Sequence, residues 1–157
     1  MSQLIAIDPG PAKSAYAEFD DGEFCCAGTE SSLAVLGLLQ QEDEPFDLAI
    51  EMIASYGMPV GAEVFETCVW IGRFIQVIPQ PENHTKIYRK DVKLHLCGNL
   101  RAKDGNVRQA IIDRYGGKEA GIGTKKKPGP LYGVKGDEWS AIAVGLTYLD
   151  TRKAGKE

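Results

Sequence analysis

"LIAIDPG", residues 4–10, is a short apolar run that carries one carboxylate, Asp8, and then breaks at Pro9 and Gly10. Its length, its apolar content and the Pro-Gly break predict a buried β-strand over residues 3–8. An acid at the end of such a strand lies at the edge of a sheet. The function therefore depends on which other acids the fold brings to the same edge.

The next stretches predict further strands around the first one. Residues 14–20 alternate apolar and polar side chains, the "DG" pair at 21–22 indicates a hairpin turn, and residues 23–29 are predicted as the returning strand. Two later strands are expected at residues 46–52 and 85–89. Five strands are thus predicted, of which the first three form a meander if the first two pair.

Helices alternate with the later strands. A helix capped by Thr29 or Ser31 is expected first, and Gly- and Lys-rich residues 117–135 are predicted as a loop before the last helix. The predicted helices cover residues 32–41, 62–77, 90–98, 102–116 and 136–153. We therefore expect one α/β domain over residues 1–157, with a mixed five-stranded sheet, an antiparallel meander followed by parallel strands, flanked by helices.

Charge is distributed unevenly along the chain, although the net formal charge is only −4. Residues 1–83 carry a net charge of −12, residues 84–135 carry +9 and the remainder carries −1. We call residues 84–135 the basic block. Such a block is either a solvated face or a surface that binds phosphates, and its density favours phosphate binding at least as strongly.

Other features exclude several classes of protein. The sequence has no run of 18 apolar residues and no start typical of a secretory signal, so neither a membrane partner nor secretion is expected. The four cysteines lack the spacing of a metal site and are expected to be reduced thiols in a cytoplasmic protein. They are Cys25, Cys26, Cys68 and Cys97.

Three acids occupy comparable positions in the predicted fold. Asp8 and Glu51 end apolar strands, and Asp137 opens the last helix. If the first and fourth strands are parallel neighbours, Asp8 and Glu51 lie at the same sheet edge, where open α/β sheets bind ligands. Clustered carboxylates repel unless a cation holds them, and their oxygens suit Mg²⁺ or Mn²⁺. The alternative is that each is an ordinary surface or helix-capping residue, as Asp137 alone would be.

Four stretches together resemble the RuvC-type Holliday junction resolvases, which have an RNase H-like fold. They are "IAIDPG" with "SAYAEFD" after it, "LAIEM", "IYRKDVKLHLCGNLRAKDGNVRQAI" and "GDEWSAIAVGLTYL", and they span about residues 3–150 in the family's order. The length suggests a phage-type member. The resemblance implies a metal-dependent, structure-selective endonuclease of DNA recombination and repair, which resolves four-way junctions by paired phosphodiester hydrolysis and leaves 5′-phosphates.

The resemblance extends to individual residues of the site. It implies that Asp8, Glu51 and Asp137 are catalytic ligands of two Mg²⁺ or Mn²⁺ ions per active site. Family members commonly carry a second Asp three residues further along the last helix, and here that position is Ser140. Glu138 is a candidate fourth ligand, although it lies about a quarter-turn round the helix from Asp137.

Basic and aromatic residues are the candidate DNA contacts. Lys93 and Lys103 match the family's basic positions near the active site, so they are also catalytic candidates, unless they lie on a solvated helix face. Tyr56 is expected either to stack on an unpaired base or to pack within its loop. The full predicted set is Lys13, Tyr56, Arg89, Lys90, Lys93, Arg101, Lys103, Lys125, Lys126 and Lys127.

The expected partners are branched DNA and a second copy of the chain. Symmetric cleavage of a junction needs two active sites, so the resemblance implies a homodimer, with the helix at residues 62–77 as a candidate interface. No nucleotide cofactor is expected, because the sequence lacks the second Gly-rich phosphate loop of actin-like kinases. Two alternatives stay open: a branched-DNA-binding module with weak or no nuclease activity, and another RNase H-like nuclease.

Overall fold

The computed structural model describes residues 3–156. The strands are β1 (Gln3–Asp8), β2 (Lys13–Asp20), β3 (Glu23–Ser31), β4 (Phe46–Met52) and β5 (His84–Tyr88). The α-helices are α1 (Ser32–Gln41), α2 (Ala62–Val77), α3 (Arg89–Cys97), α4 (Asp104–Arg114) and α5 (Glu138–Lys156). Each predicted strand and helix is present within a few residues of its predicted bounds. None of the helices in residues 3–156 has the length and apolar character needed to cross a membrane.

The five strands form one mixed sheet in the order β3-β2-β1-β4-β5. β2 pairs antiparallel with β1 and with β3, whereas β4 pairs parallel with β1 and with β5. The meander turns at Asp21 and Gly22, whose φ angles are 52° and 85°. Two consecutive positive φ angles are typical of the hairpin turn that Asp-Gly favours. The predicted fold class, an antiparallel meander followed by parallel strands, is confirmed.

The two faces of the sheet bury separate cores. Ile7 of β1 and Ile50 of β4 pair in register and pack on the side of α1 and α2. Ala6 and Ala49, one position earlier on each strand, belong to the core on the side of α3, α4 and α5. Because side chains alternate along a strand, the residue after each isoleucine points to the α3–α5 side.

Helix α5 packs directly on β1 and β2 because small residues let it approach. The sheet presents Ala6, Ala15 and Ala17 to this side. On the helix, Gly145 lies against Phe19, and a Cβ at this position would collide with the Phe19 ring. The small residues thus determine how close α5 lies to the sheet, and with it where the start of α5 lies relative to the sheet edge.

Residues 117–135, predicted as a loop, contain more structure than the sequence indicated. A short π-helix spans Lys118–Ile122, and a tight hairpin follows, in which the backbones of Thr124 and Lys127 exchange two hydrogen bonds of 3.1 Å. Gly123 enters the hairpin with a φ of 71°, and a Cβ there would collide with the Lys127 carbonyl. The loop prediction is corrected here, because apolar periodicity does not detect a hairpin closed by backbone hydrogen bonds. We call residues 123–128 the basic hairpin.

Candidate active site

Asp8, Glu51 and Asp137 lie at one edge of the sheet. Asp8 and Glu51 directly follow Ile7 and Ile50, which are paired neighbours on parallel strands. Both carboxylates therefore point to the side covered by α3, α4 and α5. Asp137 directly precedes α5, the helix that packs on this side of β1. The structure thus brings the three sequence-predicted acids towards one another.

The carboxyl groups of Asp8 and Glu51 are close enough to share a proton. Burial first, and then the charge of Glu51, a hydrogen bond to Glu51 and the charge of Asp137, together raise the pKa of Asp8 from 3.8 to about 9. The positive charge of Arg89 acts in the opposite direction. Two carboxylates this close repel each other unless a proton or a cation lies between them. The pair is therefore a candidate cation site.

Arg89 brings a positive charge to this pair. It is the first residue of α3, directly after β5, and its Nη1 donates to Oε1 of Glu51 at 3.3 Å. Its Nη2 pairs with Oδ1 of Asp104, the first residue of α4. Arg89 was predicted only as a DNA contact, and Asp104 was not predicted at all. The available signal was the position of Arg89 directly after a strand that neighbours β4.

The donor chemistry of the site suits a hard divalent cation, because Asp8, Glu51 and Asp137 offer only carboxylate oxygens. Across residues 3–156, no group of three or more His, Cys, Asp or Glu side chains has the geometry to hold a metal ion. The residues therefore fit a divalent ion at the Asp8–Glu51 pair, but the three acids do not form a closed ligand set.

A cavity of about 450 Å³ opens beside Glu51, between α3, α4 and the start of α5. Apolar and charged side chains share its wall, which includes Val92, Lys93, Val107, Arg108, Trp139 and Ser140. The guanidinium of Arg108 lies 5.1 Å from the centroid of the Trp139 ring. Sequence reasoning missed this Arg108–Trp139 contact, which depends on how α4 packs on α5. The cavity connects Glu51 and Asp137 with side chains of the basic block.

Ser140 and Glu138, the two residues considered at the fourth ligand position, lie in different surroundings. Ser140 lines the cavity beside Asp137. Glu138 is only 5% exposed, and its Oε1 accepts a hydrogen bond from the backbone N–H of Lys135 at 3.5 Å. Glu138 does not line the cavity. Metal ligation by Glu138 therefore stays a prediction to which the geometry adds no support.

The two predicted catalytic lysines differ in position. Lys93, on α3, is half-buried and lines the cavity. Lys103 directly precedes α4, is exposed, and does not line the cavity. Its backbone N–H donates to the side chain of Asn106 at 2.9 Å, a contact that stabilises the start of α4. Lys93 is therefore the better placed of the two to reach a phosphate near the acids.

Tyr56 lies at the tip of a turn between β4 and α2. The Met58 N–H donates to the Ser55 carbonyl at 2.9 Å, and Tyr56 and Gly57 between them have φ angles of 52° and 78°. A positive φ is uncommon for a bulky residue. The Tyr56 side chain is 65% exposed, with the Lys90 ammonium 5.9 Å from the ring centroid. An exposed ring beside a cation suits the stacking of an unpaired base.

The other predicted DNA contacts are exposed side chains. Lys13 begins β2 and lies at the same sheet edge as Asp8, because β2 runs antiparallel to β1. Arg101 lies in the connection between α3 and α4. Lysines 125–127 occupy the tip of the basic hairpin, whose backbone hydrogen bonds present them together.

A buried hydrogen-bond network holds the turn that follows Asp8. The hydroxyls of Ser14 and Ser32 lie 2.8 Å apart, the Gly10 N–H donates to Ser14 at 3.2 Å, and Ser32 donates to the Gly10 carbonyl at 3.0 Å. The indole N–H of Trp70, on α2, donates to the carbonyl of Pro11 at 3.1 Å. These contacts fix the backbone at the end of β1 and so the position of Asp8.

Two solved structures share this fold over nearly the whole chain. The structure of Thermus thermophilus RuvC has a TM-score of 0.66 at 16% sequence identity, covering 98% of this chain and 96% of that chain. T. thermophilus RuvC in complex with a Holliday junction substrate has a TM-score of 0.68 at the same identity and coverage. No protein-family model matches the sequence, and neither does any curated protein. The chain therefore has the RNase H-like fold of these RuvC structures.

Proposed function

We propose that the protein is a metal-dependent endonuclease that cuts four-way DNA junctions by paired phosphodiester hydrolysis and leaves 5′-phosphates. The Asp8–Glu51 carboxylate pair, at the edge of a sheet with the RuvC fold, carries this proposal. One RuvC structure is a complex with a Holliday junction substrate, which supports branched DNA as the substrate class. Such junctions arise in DNA recombination and repair, so we place the protein in the cytoplasm of a bacterial or phage-infected cell.

We assign the binding of Mg²⁺ or Mn²⁺ to Asp8, Glu51 and Asp137. A divalent ion at these carboxylates supplies the Lewis acid that activates water and neutralises a departing oxygen in phosphodiester hydrolysis. The chain's own residues hold this arrangement in place. The hydrogen-bonded turn after β1 fixes Asp8, and Lys93 lines the adjoining cavity, where its ammonium group can bind a phosphate oxygen.

The basic block supplies a path for DNA to the acids. Lys93 and Arg108 line the cavity, Lys90 lies beside the Tyr56 ring, and lysines 125–127 form the tip of the basic hairpin. Phosphate contacts position DNA without reading its sequence. A surface of this kind favours recognition by shape, and the exposed Tyr56 ring adds a stacking contact for a base unpaired at a junction.

We infer a homodimer from an exposed apolar stripe on α2. Ala62, Phe65, Val69 and Gly72 are exposed, with Phe65 at 62% and Val69 at 56%. Their spacing places them on one face of the helix. An exposed apolar face of this kind marks an interaction surface. Trp70 of the same helix contacts the turn after Asp8, so this interface would lie near the active site.

A branched-DNA-binding module with weak or no nuclease activity is a second candidate function. Two observations favour it. Glu51 is already engaged by Arg89, and Ser140 lies on the cavity wall where an acid would add a further ligand. Another nuclease on the same fold would use the same acids without a preference for junctions.

A cleavage assay on an end-labelled four-way junction separates these functions. The wild-type protein is incubated with the junction and with linear duplex, in Mg²⁺ and separately in Mn²⁺, and binding is recorded by gel shift. We expect paired nicks in the junction that DNA ligase can seal, which shows 5′-phosphates. Equal cutting of junction and duplex would indicate another nuclease, and binding without cutting would indicate the module. If the protein neither binds nor cuts the junction, that result would contradict every function considered.

A further inference from the structure

We propose that Arg89, anchored by Asp104, is a built-in cation of the active site, and that the site therefore binds a single divalent ion. This inference rests on the proposed function, because it concerns the metal site assigned there. The sequence resemblance implied two ions. Arg89 and Asp104 are the structural features that change this expectation.

The guanidinium of Arg89 uses both terminal nitrogens on carboxylates. Nη1 donates to Glu51 Oε1 at 3.3 Å, and Nη2 pairs with Asp104 Oδ1. The Glu51 side chain is only 11% exposed, whereas the Arg89 side chain is 43% exposed, so the carboxylate is the buried member of the pair. Arginine is permanently charged and presents its donors in a rigid fork. A metal ion must therefore compete with a fixed cation for this oxygen of Glu51.

The carboxylates that remain suffice for one ion. Two divalent ions held close together would need more carboxylate oxygens than one ion, because the carboxylates offset the repulsion between the ions. Here Asp8, Asp137 and the second oxygen of Glu51 are left, and Ser140 contributes no charge on the cavity wall. The guanidinium thus engages one of the few carboxylate oxygens that a second ion could use.

Asp104 acts as a positioning residue in this arrangement. It is the first residue of α4, and its side chain is 77% exposed. Packing in the core therefore does not explain the position of this side chain. Its contact with Nη2 holds the guanidinium, whose side chain is 43% exposed, against Glu51 instead of leaving it free in solvent. The loss of Asp104 is therefore expected to loosen the hold of Arg89 on Glu51.

The test counts Mn²⁺ ions bound per chain to the full-length protein without DNA, by isothermal titration calorimetry and by the electron paramagnetic resonance of free Mn²⁺. We expect one ion for the wild type and two for Arg89→Gln, because Glu51 is then released. Arg89→Lys keeps the charge and should still bind one. Asp104→Asn should add a second, weaker site, and Asp104→Glu should restore a single one.

Arg114→Gln is the matched control, since it removes another arginine–carboxylate pair, the one that joins α4 to α5 away from the acids, and it should bind one ion. Circular dichroism verifies that each variant is folded. Two ions in the wild type, or one in Arg89→Gln, would overturn the inference. If the wild type binds two ions and also cuts junctions, the proposed function stands and only this inference fails. If it binds no Mn²⁺ and cuts nothing, both fail.

Discussion

Two charged clusters lie towards opposite ends of α3, α4 and α5, and the pKa of the central carboxyl group is shifted in opposite directions in the two clusters. At the ends of the helices, both Nη atoms of Arg114 donate to Asp150 at 2.6 Å, and the His95 ring lies 2.7 Å from the same carboxylate. The hydrogen bonds from Arg114 lower the pKa of Asp150 to about 2. At the starts, burial beside Glu51 raises the pKa of Asp8 to about 9.

The difference between the clusters is the balance of charge and not the closeness of the groups. In the cluster of Asp150, one carboxylate is paired with the Arg114 guanidinium and contacts the His95 ring, so its charge is satisfied within the protein. In the cluster of Asp8, three acids share one guanidinium, that of Arg89, which also serves Asp104. A cluster that is satisfied internally stabilises the fold, whereas one that lacks positive charge is suited to bind a cation.

The largest expected effect is on catalysis and concerns Glu51. Glu51→Gln keeps the size of the side chain but removes the charge, and should lower junction cleavage at least ~100-fold, since the divalent ion loses a ligand. Junction affinity, measured by gel shift, should stay within about threefold, because the phosphate contacts are untouched. Asp47→Asn is the control, since it removes a carboxylate paired with Arg152 at the opposite end of β4. Full cleavage by Glu51→Gln would rule out its assigned role.

The next effect is on stability, where the two clusters should respond with opposite signs. Because the pKa of Asp8 is raised in the folded state, the unfolded chain loses this proton first, and stability falls as the pH rises from about 4 to about 9. Asp8→Asn removes this penalty and should stabilise the metal-free protein at pH 7 by about 1–3 kcal/mol, or roughly 3–9 °C in Tm. Calorimetry in EDTA between pH 4 and 9 measures the difference.

Asp150 provides the counterpart of that experiment. Its lowered pKa stabilises the folded state above about pH 4, and this stability is lost as the pH falls towards 2. Asp150→Asn should therefore destabilise the protein at pH 7 by about 1–2 kcal/mol after allowance for screening by solvent. A change of the same sign in Asp8→Asn and Asp150→Asn would contradict the distinction between the clusters.

A smaller effect is expected at the turn of Tyr56. Tyr56→Ala should weaken junction binding about fivefold, corresponding to the loss of about 1 kcal/mol of base stacking. Linear duplex, which offers no unpaired base, should bind unchanged, and fluorescence anisotropy measures both affinities. Tyr56→Phe keeps the ring and serves as the matched control. Equal weakening for junction and duplex would indicate a general packing role for Tyr56 in its loop.

The smallest effect concerns the basic hairpin. Lys125→Gln and Lys126→Gln should each reduce the slope of log affinity against log salt by about 1, and junction affinity by two- to threefold. Lys153→Gln, an exposed lysine near the end of α5, is the control and should leave the slope unchanged. Unchanged slopes in both hairpin variants would remove the hairpin from the DNA interface.

Most of the fold is predictable from the sequence because its signals are local. The apolar run that ends at Asp8, the Asp-Gly turn and the Gly98 helix end each depend on a few neighbouring residues. The sequence left open whether β1 and β4 are parallel neighbours, and the structure shows that they are. The π-helix and the basic hairpin escaped prediction, because backbone hydrogen bonds and not side-chain periodicity define them.

The site is predictable only in part, because its contacts are not local. Asp8, Glu51 and Asp137 end or begin elements, and the sequence indicates that position directly. Arg89 meets Glu51 only because β5 pairs with β4, and Asp104 meets Arg89 only because the connection from α3 places the start of α4 beside α3. No pattern within either segment predicts these contacts.

The most direct test of the central claim, that Asp8 and Glu51 hold a catalytic divalent ion, is junction cleavage by Asp8→Asn beside the wild type. Both proteins are assayed on a labelled four-way junction in Mn²⁺, with binding recorded in the same samples and with Asp20→Asn, an exposed acid at the far end of β2, as the control. The account predicts paired nicks for the wild type and Asp20→Asn, and binding without nicks for Asp8→Asn. Junction cleavage by Asp8→Asn at the level of the wild type would contradict the account.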